Sequence, residues 1–199
     1  MNILVCCLTY GNRPIDKIHY NLERTGFPFN VCFINREGIA NALNDGIDLF
    51  KKGDYDAIAF LANDIIEPDN WLIKKAMALD SYERAGIVAS SLDFKREYIN
   101  NEYVISNWLM SKEVIDKVGY FNEEFYPYGP IDLDYCDRVW KSGFNTYYTM
   151  DCLASTGGHA SGNEYGYDKE KVVNDFISLY QRNQEGYRTG TKNIKLDRL

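Results

Sequence analysis

The sequence predicts a single α/β domain with a mostly parallel central sheet flanked by helices, and three observations support that expectation. Short β-rich apolar runs alternate with helical patterns along the first half of the chain, the signature of βαβ units. The run Asp56-Ala57-Ile58-Ala59-Phe60-Leu61-Ala62 is almost wholly apolar, as in a strand covered on both faces. A length of 199 residues with 45% hydrophobic side chains suits one domain with one sizeable core.

Ile3 to Leu8 is the first strand. After the turn-forming Gly11-Asn12-Arg13-Pro14, Ile15 to Arg24 reads as a helix and Asn30 to Ile34 as the second strand, ending in Asn35-Arg36. Ile39, Leu43, Ile47 and Phe50 then recur at helical spacing until a stop near Gly53. The third strand, Asp56 to Ala62, runs directly into Asn63-Asp64. Pro68 opens a helix to about Arg84, because a proline at the first helical position loses no hydrogen bond. Gly86 to Leu92 is the fourth strand. From Asp93 to Asn107 the periodicity breaks down into polar and aromatic residues, a loop with room for one short strand. A short helix from Ser111 to Val118, a longer one from Pro130 to Ser142, a last strand from Phe144 to Met150 and a helix from Lys169 to Arg182 complete the chain.

The formal charge of −7 and pI near 4.9 argue against nucleic acid and against membrane insertion, since phosphate backbones and anionic lipid require clustered positive surface. Met1 to Leu8 has no cationic lead and is far shorter than a membrane span, so it reads as a buried strand and a cytoplasmic location is expected. The five cysteines form no CxxC pair, and Cys6 and Cys7 should point to opposite faces of one strand. Free, mostly buried thiols are the expectation.

In open α/β sheets ligands sit beyond the carboxyl ends of the strands, so Thr9-Tyr10, Asn35-Arg36 and Asn63-Asp64 should border one crevice. A carboxylate at Asp64 suits a hard divalent cation holding a diphosphate, although an Asx turn before the next helix reads equally well from the residues alone. With a helix beginning near Pro130, Asp132 shares a face with Tyr135, Cys136 and Val139, whereas Asp134 shares one with Asp137, Arg138 and Lys141. Asp134 then reads as a first-turn acid paired with Arg138, and Asp132 as the candidate general base or a simple helix-terminus acid. His159 lies in Thr156-Gly157-Gly158-His159-Ala160-Ser161-Gly162, where flanking glycines can bend an imidazole toward a ligand, although from the residues alone a plain loop histidine is the favoured reading. His19, on a surface helix, reads as structural.

Taken in order, these pieces resemble glycosyltransferase family 2 and its relatives, as far as the region of His159. Leu8-Thr9-Tyr10-Gly11-Asn12-Arg13-Pro14 looks like the family's Thr-Tyr-Asn-Arg-Pro turn with one glycine added, and Gly38 to Gly46 matches its Gly-x-Ala-x-Ala-x-Asn-x-Gly helix start. Phe60-Leu61-Ala62-Asn63-Asp64 and Pro68-Asp69-Asn70-Trp71-Leu72 stand at its DxD-type element and Pro-x-x-Trp-Leu. Val118 to Phe125, Ile131 to Arg138 and His159 then fill the later motifs in order. Ala62, Ile131 and Leu43 depart from it, standing where an acid or amide, a glutamate and an arginine are usual.

The resemblance implies a GT-A type Rossmann-like domain over residues 1–199, with a nucleotide-binding half at 1–92, an acceptor and catalytic half at 93–165 and a C-terminal helix and tail at 166–199. It implies a metal-dependent inverting transfer from a nucleotide-diphosphate sugar, UDP-sugar foremost, to an acceptor hydroxyl. Thr9, Tyr10 and Asn35 would border the base or ribose, with Gly38, Asn44 and Asn63 on the same nucleotide side. Asp64 and His159 would hold Mn²⁺ or Mg²⁺, and Asp132 would deprotonate the acceptor. Tyr98, Tyr103, Trp108, Tyr126 and Tyr128 could stack on an acceptor sugar. A catalytically inactive glycan- or nucleotide-binding relative and a sugar nucleotidyltransferase remain the alternatives.

Overall fold

The structure is a computed structural model that describes residues 1–11, 14–92, 103–104, 107–155, 169–189 and 192. Its core is sorted by the alternation of β1 (Ile3–Thr9), whose successive side chains point to opposite faces. Ile3, Val5 and Cys7 pack with Ile18 of α1 (Asp16–Leu22) and with Trp71, Leu72 and Leu79 of α3 (Trp71–Ser81). Leu4 and Cys6 face the other way. They pack in one layer with α2 (Ile39–Lys52), α4 (Lys112–Val118) and α5 (Ile131–Lys141), through side chains such as Ile47, Ile115 and Tyr135. Helices therefore cover the sheet on both sides, which is why the third strand carries no polar alternation.

Among the described residues the sheet has six strands in the order β2 (Asn30–Asn35), β1, β3 (Ala57–Ala62), β5 (Trp108–Ser111), β4 (Ala85–Leu92), β6 (Asn145–Ala154). It is parallel except for β5, which runs against both β3 and β4. Glycine at position 46 lets α2 lie close on the sheet. A Cβ there would stand 2.7 Å from the Phe60 ring and 3.2 Å from Cys6 Sγ.

Four elements differ from the sequence expectation. β5 was not anticipated, because the three apolar residues between Asn107 and Ser111 are too few to show a period. Ser111 itself caps α4, its hydroxyl accepting from Val114 N at 3.3 Å. The helix expected from Pro68 begins at Trp71, since Asn70 adopts a left-handed conformation (φ 61°) while its N–H is given to Arg24 O at 2.8 Å. The last strand and the C-terminal helix both run further than expected, the latter being α6 (Lys169–Thr189), which docks on α5.

Candidate functional site

Because β1, β2 and β3 run parallel, Thr9, Asn35 and Ala62 end at one edge of the sheet. The Thr9 hydroxyl donates to Ile34 O at 3.2 Å, and Asn35 Oδ1 accepts from Gly11 N at 3.2 Å, so the first turn is tied to the end of β2. Tyr10 lies exposed beside them. Gly38 turns the chain into α2 with φ 83°, and a Cβ there would meet the Tyr126 ring at 2.8 Å. Ile39 N donates to Pro127 O at 3.2 Å, so the segment leading to α5 rests on the start of α2. Asn44 is placed otherwise. It is fully buried, its Nδ2 donates to Phe121 O and Glu123 Oε1, and its Oδ1 accepts from Phe121 N. An amide used up in this way holds α2 to the segment before α5 and does not face a ligand.

The turn after β3 is fixed by hydrogen bonds from several elements. Ala62 N donates to Asn107 Oδ1 at 2.8 Å, and Lys17 Nζ donates to Asp64 O at 3.1 Å. Asn21 of α1 grips two points, its Nδ2 donating to Ile65 O and its Oδ1 accepting from Glu67 N, both at 2.8 Å. Ile66 exchanges backbone hydrogen bonds with Ser155, just past β6, at 2.7 and 2.9 Å. Beneath the turn lies a buried polar network that the sequence did not announce. Glu67 Oε1 accepts from Lys75 Nζ at 3.0 Å and from Asn107 Nδ2 at 2.7 Å, while Oε2 accepts from Ser90 Oγ at 2.5 Å. Both ionic side chains are excluded from solvent. One signal for Lys75 existed: it sits four residues after Trp71 on the apolar stripe of α3, with its Nζ 4.9 Å from the Trp71 ring. Asn63 and Asp64 remain partly exposed on top of this support.

Helix α5 opens at Pro130 as expected, and its two first-turn acids part company. Asp134 is fully buried. It pairs with Arg138 Nε at 3.0 Å and accepts from the Tyr187 hydroxyl of α6 at 2.8 Å. Asp132 is half-buried, and its Oδ1 accepts from Leu133 N at 3.0 Å. Desolvation lifts its carboxyl above the ordinary aspartate range, with hydrogen bonds from backbone N–H groups pulling weakly the other way. Burial likewise raises the phenol of the half-buried Tyr128, and the negative charges of Asp132 and then Asp64 raise it further. The charges of both acids are thus felt at one phenol.

Of the aromatic residues expected at the acceptor side, Tyr126 is 47% exposed. Tyr103 is also exposed, but its hydroxyl is engaged with Asp137 at 3.0 Å. Trp108 does not belong to that surface: it is buried in β5, stacked on Phe121 with ring centroids 5.3 Å apart. Its place on a sheet strand aims it into the core. Tyr98 and His159 lie outside the described residues. Among the described residues no three His, Cys, Asp or Glu side chains gather into a metal cage. One hard carboxylate at a strand end nevertheless fits an ion bound largely through substrate phosphates, which takes one or two protein carboxylates. Among the described residues no helix is long and apolar enough to cross a membrane.

No family profile matches the chain, and no curated protein sequence does. Solved structures do. Staphylococcus aureus TarS residues 1–349 in complex with UDP-GlcNAc matches with a TM-score of 0.63 at 13% identity, over 92% of this chain and 66% of that one. The mannosyltransferase PcManGT from Pyrobaculum calidifontis, in complex with GDP-Man and Mn²⁺, matches at 0.62 and 13% identity, over 83% and 58%. GalNAc-T7 with UDP, GalNAc and Mn²⁺ matches at 0.62 and 10% identity, over 77% and 43%. The chain thus spans less than two thirds of each of these neighbours. Its mixed sheet flanked by helices is the GT-A type fold of these glycosyltransferase structures.

Proposed function

We propose that the protein is a metal-dependent glycosyltransferase that moves a sugar from a nucleotide-diphosphate donor, UDP-sugar foremost, to an acceptor hydroxyl with inversion. The observation that supports this most is a braced acid, Asp64, at the carboxyl end of β3 and a half-buried acid, Asp132, at the start of α5, whose negative charges both raise the Tyr128 phenol. An acceptor hydroxyl is a poor nucleophile, and Asp132 would take its proton as it attacks the anomeric carbon. One such base, with the attack opposite the leaving group, gives inversion. Thr9, Tyr10, Asn35, Gly38 and Asn63 would border the nucleotide, and Asp64 with His159 would hold Mn²⁺ or Mg²⁺. A divalent ion bound there would offset the charge developing on the leaving diphosphate. Neighbouring structures with UDP-GlcNAc, and with GDP-Man and Mn²⁺, are in keeping with this chemistry.

Ala62 favours a second reading, binding without turnover, because its side chain offers no oxygen and its N–H is already given to Asn107. Nucleotide release from a panel of nucleotide sugars, with and without Mn²⁺, separates the two. Asp64→Ala is expected to weaken nucleoside-diphosphate binding by about tenfold or more, roughly 1.4 kcal/mol, in calorimetry with Mn²⁺. Unchanged affinity removes Asp64 from the site.

A further inference from the structure

The five cysteines are free, yet two of them are not isolated. Cys6 of β1 and Cys32 of β2 are direct partners across the parallel strands, and their sulfurs stand 3.0 Å apart. We propose that this pair is an oxidation site at which a peroxide converts the Cys32 and Cys6 thiols into a reversible disulfide joining β2 to β1. Adjacent strands lie about 4.7–4.9 Å apart, inside the Cα separations of about 4.4–6.8 Å that a disulfide spans, so closure needs little backbone movement.

The two sulfurs differ in access, and that sets the order of events. Cys6 is fully buried beneath α2 at Gly46, where a Cβ would stand 3.2 Å from its sulfur. Cys32 lies on the edge strand and is only half-buried. A hydrogen bond from the Cys6 thiol favours the Cys32 thiolate and holds that thiol below its ordinary range, whereas Cys6 is raised by this contact and by burial. The other three sulfurs lack such a partner geometry. Cys7 points into the opposite core layer, with its thiol pushed up to about 12 by burial. Cys136 and Cys152 are buried, facing the carbonyls of Val104 and Trp71.

The chemistry balances. The Cys32 thiolate attacks one peroxide oxygen, the O–O bond breaks, and Cys32 becomes a sulfenic acid as hydroxide leaves and is protonated to water. The Cys6 sulfur then attacks the Cys32 sulfur; the S–S bond forms, the S–O bond breaks, and hydroxide departs with the Cys6 proton as a second water. Two thiols and one peroxide give one disulfide and two waters. The bridge would close a loop across the 26-residue separation and staple the edge strand whose end carries Asn35.

The test uses the whole folded chain. Reduced protein is treated with hydrogen peroxide, the peroxide is removed with catalase, and the protein is unfolded, alkylated with N-ethylmaleimide and weighed. The expected result is a fall from five alkylated thiols to three, reversed by dithiothreitol, with a cross-linked peptide joining Cys6 to Cys32. Cys6→Ser is expected to stop at a Cys32 sulfenic acid that dimedone captures, and Cys32→Ser to keep all four remaining thiols at the same dose. Five alkylated thiols in treated wild type overturn the proposal, as does a bridge between any other pair or equal oxidation of the Cys32→Ser protein. The wild-type measurement decides even if a serine variant folds poorly.

Discussion

The turn after β3 and the first turn of α5 each carry one acid whose charge raises the Tyr128 phenol, but the two acids are held by opposite means. Around Asp64 the backbone is gripped by Lys17, Asn21, Asn107 and Ser155, while the carboxylate is kept partly in solvent. At α5 the helix is fixed through a neighbouring acid, Asp134, and the Asp132 carboxyl is itself partly desolvated. The first arrangement fixes a position and leaves the side chain partly open to solvent. The second shifts a proton equilibrium, and that is the property a general base needs near neutral pH.

The largest effect should fall on Asp132. Asp132→Asn keeps the shape but has no proton to exchange, so turnover in a nucleotide-sugar assay is expected to drop by about 10²- to 10⁴-fold while donor affinity changes little. Retained turnover would move the base elsewhere. On the other side of the comparison, Glu67→Ala strands the Lys75 ammonium inside the protein, and breaking a buried pair in this way costs about 3–5 kcal/mol. Urea unfolding should show it, and a loss below about 1 kcal/mol would mean that the network does not brace the turn. Asp134→Asn is expected to cost less, about 1–3 kcal/mol, because the amide still accepts one hydrogen bond while Arg138 loses its counter-charge. Turnover per folded molecule should survive it. If Asp134→Asn abolishes transfer and Asp132→Asn does not, the roles of the two acids are reversed.

How legible each region was in the sequence follows from how it is held. The strand ends and the opening of α5 were visible, because apolar runs and helical spacing are local patterns. Helical phase puts Asp132 and Asp134 on different faces, and Asp134 does pair with Arg138, but the burial is the reverse of the expectation: Asp134 is fully buried, because Arg138 and Tyr187 enclose it, while Asp132 stays half-exposed. The brace beneath Asp64 was not visible. Asn21, Glu67, Lys75, Ser90 and Asn107 meet only through tertiary contact, and nothing local marks a glutamate after a turn as buried. Asn44 misled in the converse way. A polar residue at a motif position near a helix start reads as a ligand contact, but the fold spends its amide on Phe121 and Glu123. β5 is hidden because four residues are too short for periodicity, and without that strand nothing local marks Trp108 as a core residue rather than a surface one.

The smallest expected effect is the one that separates a base from a mere helix-terminus acid. Desolvation raises the Asp132 carboxyl in the folded protein above its unfolded value, so between those two values the native state binds more protons than the unfolded chain. Stability must then fall as pH rises through that window, and the cost persists at neutral pH, where the folded carboxylate is charged and partly buried. Asp132→Asn escapes this cost. Its urea midpoint should exceed that of wild type at pH 7.5, and the gain should shrink as the pH is lowered, vanishing near the ordinary aspartate value of about 4. An ordinary first-turn acid predicts the reverse, since a carboxylate near the positive end of a helix stabilises by about 0.3–1 kcal/mol and its loss would lower the midpoint. A variant that is slower yet more stable at neutral pH fits a carboxyl kept for its proton chemistry at the expense of stability. A midpoint below wild type at pH 7.5 would return Asp132 to a structural role.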